Sequence, residues 1–268
     1  MCGRYAVTAS VEDLATEFEV DDGPLRTFEP DYNVAPTKPV PVILERRRVD
    51  TETGVTDVRR HLEVMRWGLV PSWAKDPSIG SRLINARSET VAEKPAFKKA
   101  FARRRCLLPA AGYYEWRVQT SAPVGKAAKS LKQPYFICSD AGASLAMAGL
   151  YEFWRDKSRR DDDPSAWWAT VSVITTNAQD DVGHIHDRMP LLVPQQAWGE
   201  WLDPDVDGSS AVDRLQSLLV PAVPGLLRSY PVSRAVNNVR TNGPELIAEV
   251  AVDDDLVGAI EPNPEQLC

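Results

Sequence analysis

The chain has no long apolar run. None of its segments approaches the roughly 18 consecutive apolar residues of a membrane span, and no apolar stretch of signal-peptide type follows its first charges. Those absences set the expectation of a cytoplasmic protein with no membrane partner. Cysteine is scarce too: Cys2, Cys106, Cys138 and Cys268 are too few and too scattered for a disulfide framework. No CxxC or HExxH spacing is present, so no metal is expected, and no Walker-type or GxGxxG loop is present to cradle phosphates. Nucleotide hydrolysis is thereby disfavoured, and no cofactor of any kind is expected. There is no internal repeat, and there are only three histidines. A basic excess is missing as well: the net charge is -7, which weighs weakly against a nucleic-acid partner. Distribution qualifies that sum, because Lys94, Lys98, Lys99, Arg103, Arg104 and Arg105 fall within twelve residues that contain no acid. Segregated charge of this kind offers a basic face or simply a solvated helix surface.

What is present begins at the second residue. The chain opens Met1-Cys2-Gly3-Arg4-Tyr5, so removal of Met1 would place a thiol and an α-amine on adjacent carbons. Such a 1,2-aminothiol takes an aldehyde first as an imine on nitrogen and then closes a five-membered thiazolidine through sulfur. The nitrogen suits neutral pH. An α-amine with a pKa of about 7.8 is roughly 30% neutral near pH 7.4, whereas a lysine at about 10.4 is only ~0.1% neutral.

With 268 residues, 43% hydrophobic content and eight tryptophans, the chain can bury a substantial core, and one domain is favoured over two. Ser10 followed three residues later by Asp13, with Leu14 and Phe18 beyond, predicts a capped helix over about residues 11 to 18. Short runs rich in β-branched and aromatic residues predict strands at 40–46, 62–69, 105–108, 113–118, 134–139, 145–154 and 167–175. Helical periodicity is best at 88–102, with a break at Pro95, then at 194–202 and 211–219. The expected fold class is α+β, a single compact domain with a β-barrel-like mixed core surrounded by helices. Segments 119–133 and 155–166 read as loops of weak order, and the last dozen residues as a solvated tail.

Several segments are too polar and too specific for their positions: Asn33-Val34-Ala35-Pro36-Thr37, Trp67-Gly68-Leu69-Val70-Pro71-Ser72-Trp73, Asn85-Ala86-Arg87-Ser88-Glu89-Thr90, Gly112-Tyr113-Tyr114-Glu115-Trp116 and His186-Asp187-Arg188-Met189-Pro190. Together with Met1-Cys2-Gly3-Arg4, and in that order, they resemble the SOS response-associated peptidase family, whose members are also described as abasic-site processing proteins. The resemblance covers roughly residues 1 to 240, leaving 241–268 as a C-terminal extension. It departs from the family pattern at Ala111, where a polar residue is frequent, and in the long loops.

The resemblance implies a β-barrel-like domain that binds single-stranded DNA and crosslinks to abasic sites through the N-terminal cysteine, working near the nucleoid when DNA is damaged. Carried over by motif, the nucleophile is Cys2 and the supporting polar residues are Asn85, Glu115 and His186. Glu115, between Tyr114 and Trp116, is expected to have a raised pKa suited to proton transfer. His186 exchanges protons near neutrality and is assigned to the sugar oxygen, with His184 its competitor. Asn85 offers an acceptor and a donor to fix the direction of attack, or else caps a helix. Arg4, Arg87 and Arg188 are candidates for phosphate contacts, with ion pairs to acidic neighbours as the alternative. Trp67 and Trp73 would stack on bases or wedge beside the lesion, unless they belong to the core. Two rival readings stay open: an N-terminal-nucleophile amidohydrolase, in which the Cys2 thiolate attacks an amide, and a noncatalytic single-strand-binding module. A monomer is the default.

Overall fold

The computed structural model of the chain describes residues 2–21, 27–49, 54, 56–119, 131–206, 208–219 and 225–251. Twelve strands lie among them: β1 (Tyr5–Val7), β2 (Asp31–Val34), β3 (Pro39–Val49), β4 (Thr56–Trp67), β5 (Asn85–Arg87), β6 (Arg105–Ala110), β7 (Gly112–Gln119), β8 (Leu131–Ser139), β9 (Leu145–Arg155), β10 (Trp167–Asn177), β11 (Arg188–Pro190) and β12 (Leu227–Pro231). The helices are short: α1 (Val11–Glu17), α2 (Lys98–Arg103), α3 (Asp180–Gly183), α4 (Trp198–Leu202) and α5 (Gly208–Ser217). None is long and apolar enough to cross a membrane.

Five strands close into a ring-like sheet. β10, β4, β3, β6 and β9 pair in that order, and β9 pairs back to β10. Among these five strands the β10–β4 contact alone is parallel, and it is brief, joining Thr170 to Arg66 and Val171 to Trp67; the β10–β5 pairing further along β10 is parallel as well. Beyond that contact β10 changes partners. On one edge β5 replaces β4, with Val173 opposite Asn85 and Thr175 opposite Arg87; on the other, β11 takes over from β9, with Thr175 opposite Pro190 and Asn177 opposite Arg188. The switch gathers two of the polar motifs at one end of a single strand.

A second sheet, in the order β12–β8–β7–β1–β2, packs against the ring. Strand alternation sends its side chains into two separate cores. Tyr5 and Tyr113 enter the main core shared with the ring strands. Ala6 and Tyr114 enter a smaller one with Phe136, Val232 and Leu246.

The α+β class and barrel-like core agree with the sequence expectation. So does α1: Ser10 Oγ accepts from the Asp13 amide at 3.0 Å while Asp13 Oδ2 accepts from the Ser10 amide at 3.4 Å, the expected capping box. The helix expected over 88–102 shrinks to α2, because the chain turns through Ser88–Glu93 and begins helix only past Pro95. The basic run is not one solvated face. Arg105 is buried in β6, where its guanidinium donates to the carbonyls of Phe101, Ala102, Trp201, Asp203 and Val206. Burial lowers its pKa to about 10. Segment 155–166 is an ordered turn held by Asp156 and Asp163, which accept from Ser158 and Ser165. Most of the expected loop 119–133, and the whole C-terminal tail, lie outside the described residues.

Candidate active site

The register of β1 on β7 builds the site. Tyr5 lies opposite Tyr113, and the Tyr114 amide donates to the Arg4 carbonyl at 2.9 Å. Continued by one step, the pairing sets Gly3 level with Glu115, so Cys2 arrives beside the Glu115 carboxyl. Alternation along β7 sends Glu115 to the same face as Tyr113, towards the main core that also holds Cys2. Cys2 and Tyr113 are fully buried and Glu115 is 4% exposed.

Burial pushes the Glu115 carboxyl up to about 7, the range useful for proton exchange at neutral pH. The expected direction holds, but its source differs. Tyr114 and Trp116, the sequence neighbours, point to the opposite face, and the desolvation comes from the core across β1. Burial likewise pushes the Cys2 thiol far up, with the Glu115 charge adding to the effect. The sulfur therefore rests as a neutral thiol.

Asn85 reaches the same place from β5. Its Nδ2 donates to the Cys2 carbonyl at 2.7 Å, and its buried Oδ1 has no hydrogen bond among the described residues. It is not a helix cap, since it sits in a strand paired to Val173.

His186 stands just before β11. Its Nδ1 accepts from the Arg188 amide at 3.0 Å, while Asp187 Oδ1 lies 2.8 Å from the same nitrogen. One neutral nitrogen cannot serve both. Burial lowers the imidazole pKa, so at neutral pH the ring is neutral, Nδ1 accepts from the fixed amide and the proton sits on Nε2. Asp187, whose side chain is 85% exposed, is free to turn to water. Asp187 also raises the Glu115 pKa, which ties the histidine loop electrostatically to the carboxyl. The competitor His184 is exposed.

The three arginines divide. Arg87 is exposed at the end of β10, with no ion-pair partner among the described residues. Arg188 is anchored: it forks onto Glu89, with Nη2 3.0 Å from Oε2, and donates to the Thr175 carbonyl at 2.6 Å. Arg4 points away from Glu115, to the other face of the sheet. There it donates to Asn33 Oδ1 at 2.6 Å and the Val236 carbonyl at 2.8 Å, and stacks over Trp116. The two tryptophans divide as well. Trp67 is core: it is fully buried, its Nε1 donates to the Ile84 carbonyl at 3.0 Å, and Tyr5 meets its ring edge-on at 5.1 Å. It cannot stack on a base, because β4 carries it inside the ring before the chain turns at Gly68. Trp73 is 57% exposed on the loop beyond. That loop closes through Gly68 and Gly80, whose backbones approach so nearly that a Cβ on Gly68, at φ 122°, would come 2.6 Å from the Gly80 oxygen.

Sequence reasoning passed over three residues. Tyr113 and Tyr5 flank Cys2, and alternation from Glu115 was the signal available for Tyr113. Glu89, the partner of Arg188, was part of the quoted motif but was given no role.

A buried thiol, a carboxyl raised towards neutrality and an asparagine on the thiol residue's own backbone meet in one buried place. The chain belongs to the SOS response associated peptidase (SRAP) family, whose pattern it matches over residues 1–239. It is 36% identical to abasic site processing protein YoaM of Bacillus subtilis, over 92% of this chain and 97% of that one. It is 32% identical to abasic site processing protein YedK of Escherichia coli, over 93% of this chain and 100% of that one. Among solved structures, a protein of Bacteroides thetaiotaomicron shares the fold with a TM-score of 0.73 at 23% identity, over 93% of this chain and 100% of that one.

Proposed function

We propose that this chain processes abasic sites in DNA by capturing them covalently. With Met1 removed, the Cys2 amine attacks the aldehyde of an opened abasic deoxyribose in a single strand. Glu115, as its acid, donates a proton to the departing hydroxyl of the carbinolamine, giving an imine and water. Left at that stage, the cationic imine acidifies the neighbouring C2′ hydrogen and invites loss of the 3′ phosphate. Addition of the Cys2 sulfur closes a thiazolidine and removes that route, so the adduct shields the strand from breakage. Asn85 Oδ1, a buried acceptor beside Cys2, suits the α-amine, and His186 with its proton on Nε2 suits the sugar oxygen during ring opening. Arg87 is the readiest phosphate contact and Trp73 the readiest stacking surface. The peptidase name of the family fits self-removal of Met1. The reading asks for no cofactor.

The observation that carries this is the pairing of Cys2 with a carboxyl held near neutrality, joined to relatives that are named for abasic-site processing. An amidohydrolase would instead want Cys2 as thiolate, and burial beside Glu115 opposes that state. The test mixes processed protein with single-stranded DNA bearing one abasic site and reads denaturant-resistant adduct on a gel. Cys2→Ala, or any N-terminal extension, should abolish it. Adduct that survives both changes would falsify the proposal, amide hydrolysis without adduct would favour the amidohydrolase, and DNA binding alone would leave a binding module.

A further inference from the structure

Tyrosine hydroxyls in this fold behave in two ways. Two of them find backbone acceptors: Tyr114 donates to the Tyr32 carbonyl at 2.7 Å and Tyr230 to the Ile247 carbonyl at 3.0 Å. Those of Tyr5 and Tyr113 are fully buried and have no hydrogen-bond partner among the described residues. The two residues are direct partners across β1 and β7, on the same face, within the main core that holds Cys2. Each is close enough for a charge on Cys2 to influence its own ionisation. A buried hydroxyl left without a partner destabilises the fold, and phenylalanine would fill the same space without that cost. Trp67 closes the wall behind Tyr5 at 5.1 Å, so that ring cannot swing out to solvent without opening the core, and the Tyr113 ring beside it is likewise fully buried.

We infer that Tyr5 and Tyr113 are positioning residues for the Cys2 sulfur: their two hydroxyls form a buried cradle that receives the sulfur when the thiazolidine closes. The inference rests on the function proposed above. In the closing step the C–S bond forms as the C=N π pair moves onto nitrogen, and the proton leaving sulfur ends on that nitrogen. The phenols neither gain nor lose a proton. They donate hydrogen bonds to sulfur as negative charge gathers there, and so fix the direction from which it meets the imine carbon. Neither bond is made in the resting chain, which agrees with contacts that tighten only along the reaction.

The test uses processed full-length protein as wild type, Tyr5→Phe, Tyr113→Phe and the double variant. Three readings are taken: melting temperature, the pH profile of Cys2 modification by a small alkyl disulfide (N-terminal peptide mass), and the borohydride-reducible imine fraction during reaction with abasic single-stranded DNA. Melting temperatures should be unchanged or higher. Cys2 modification at neutral pH should slow by roughly tenfold in each single variant, its profile displaced upward, because a donor to the thiolate has gone. Imine should form at the wild-type rate and persist, with ring closure delayed by a similar factor. Modification profiles and closure rates within twofold of wild type in all three variants would overturn the cradle. A fall of several degrees in melting temperature would do the same by revealing a structural partner for the hydroxyls. If wild type gives no adduct, the proposed function fails, and the modification profile alone still decides whether the hydroxyls serve sulfur.

Discussion

Glu152 and Glu115 are buried to nearly the same degree, at 5% and 4% exposure, yet they answer to opposite demands. Glu152, on β9, accepts from Arg104 at 2.7 Å and from the Phe153 amide at 2.9 Å, so a cation and a fixed dipole offset its desolvation. Arg105, next along from Arg104, is satisfied still more fully by its five carbonyls. Around Glu115 burial dominates instead, and the carboxyl is held near neutrality rather than fixed as an anion. Asn85 Oδ1 and the hydroxyls of Tyr5 and Tyr113 share that neighbourhood without hydrogen bonds among the described residues. Two buried polar regions thus differ in kind. One holds the ring to its helices; the other leaves buried polar groups without such partners among the described residues, at a cost in stability.

The contrast is sharpest where one guanidinium serves five acceptors. Arg105→Met should destabilise the protein by about 3–5 kcal/mol, since buried carbonyls lose their donors together; chemical denaturation measures it. A loss under 1 kcal/mol would dissolve the distinction. Glu115→Gln should instead leave stability intact or improved at pH 7 while slowing adduct formation about a hundredfold, followed by gel time courses. DNA affinity that collapses in this variant would make Glu115 structural.

The same carboxyl gives a pH signature. Its pKa is about 7 in the fold against a model-compound value of 4.5, so the folded state holds the proton more tightly than the unfolded chain. The stability this contributes is fully present below about pH 4.5 and is lost as pH rises through 7. The loss is on the order of 3 kcal/mol as an upper bound. Thermal melts across that window should therefore fall more steeply for wild type than for Glu115→Gln, and parallel curves would contradict the assigned burial effect. Glu152→Gln should cost about 1–2 kcal/mol at pH 7, by weakening a charge-assisted bond to Arg104.

How much of this was legible in the residues follows from what each signal depends on. The Ser10–Asp13 capping box is local, and α1 appears where it predicts. Runs rich in β-branched and aromatic residues gave β3, β4, β9 and β10 because each spans enough residues to show a pattern. β1, β2, β5 and β11 are three or four residues long, too short for any period, and they exist because a neighbouring strand offers an edge. Those brief strands carry or border Cys2, Asn85 and His186, so the site's assembly was the least readable part of the fold. Motif resemblance supplied the residues without supplying their meeting. Charge misled at Arg105, because a run of basic residues says nothing about one that turns inward at the start of a strand. Trp67 misled similarly: a glycine follows it, but the turn begins only after β4 has carried the indole into the core.

The smallest effect is expected where the two regions meet. Arg188 belongs to the His186 motif, yet its side chain is only 10% exposed and is claimed by Glu89, an ion pair at the surface. Glu89 itself is 46% exposed, and Arg188 would keep Asn177 Oδ1 and the Thr175 carbonyl as acceptors, so Glu89→Gln should cost no more than about 1 kcal/mol and barely alter melting. Nearby Arg87 has no such partner among the described residues, and the phosphate-contact reading of Arg188 requires Glu89 to yield when a strand binds. Removing the competing carboxylate should then tighten binding to single-stranded DNA a few-fold at low salt, and steepen the dependence of affinity on salt, measured by fluorescence anisotropy. The Thr175 carbonyl would still hold the guanidinium at the end of β10, so any gain reports released charge rather than a displaced side chain. Affinity and slope equal to wild type would assign Arg188 to the scaffold alongside Arg105, and would leave Arg87 as the phosphate contact at that end of the strand.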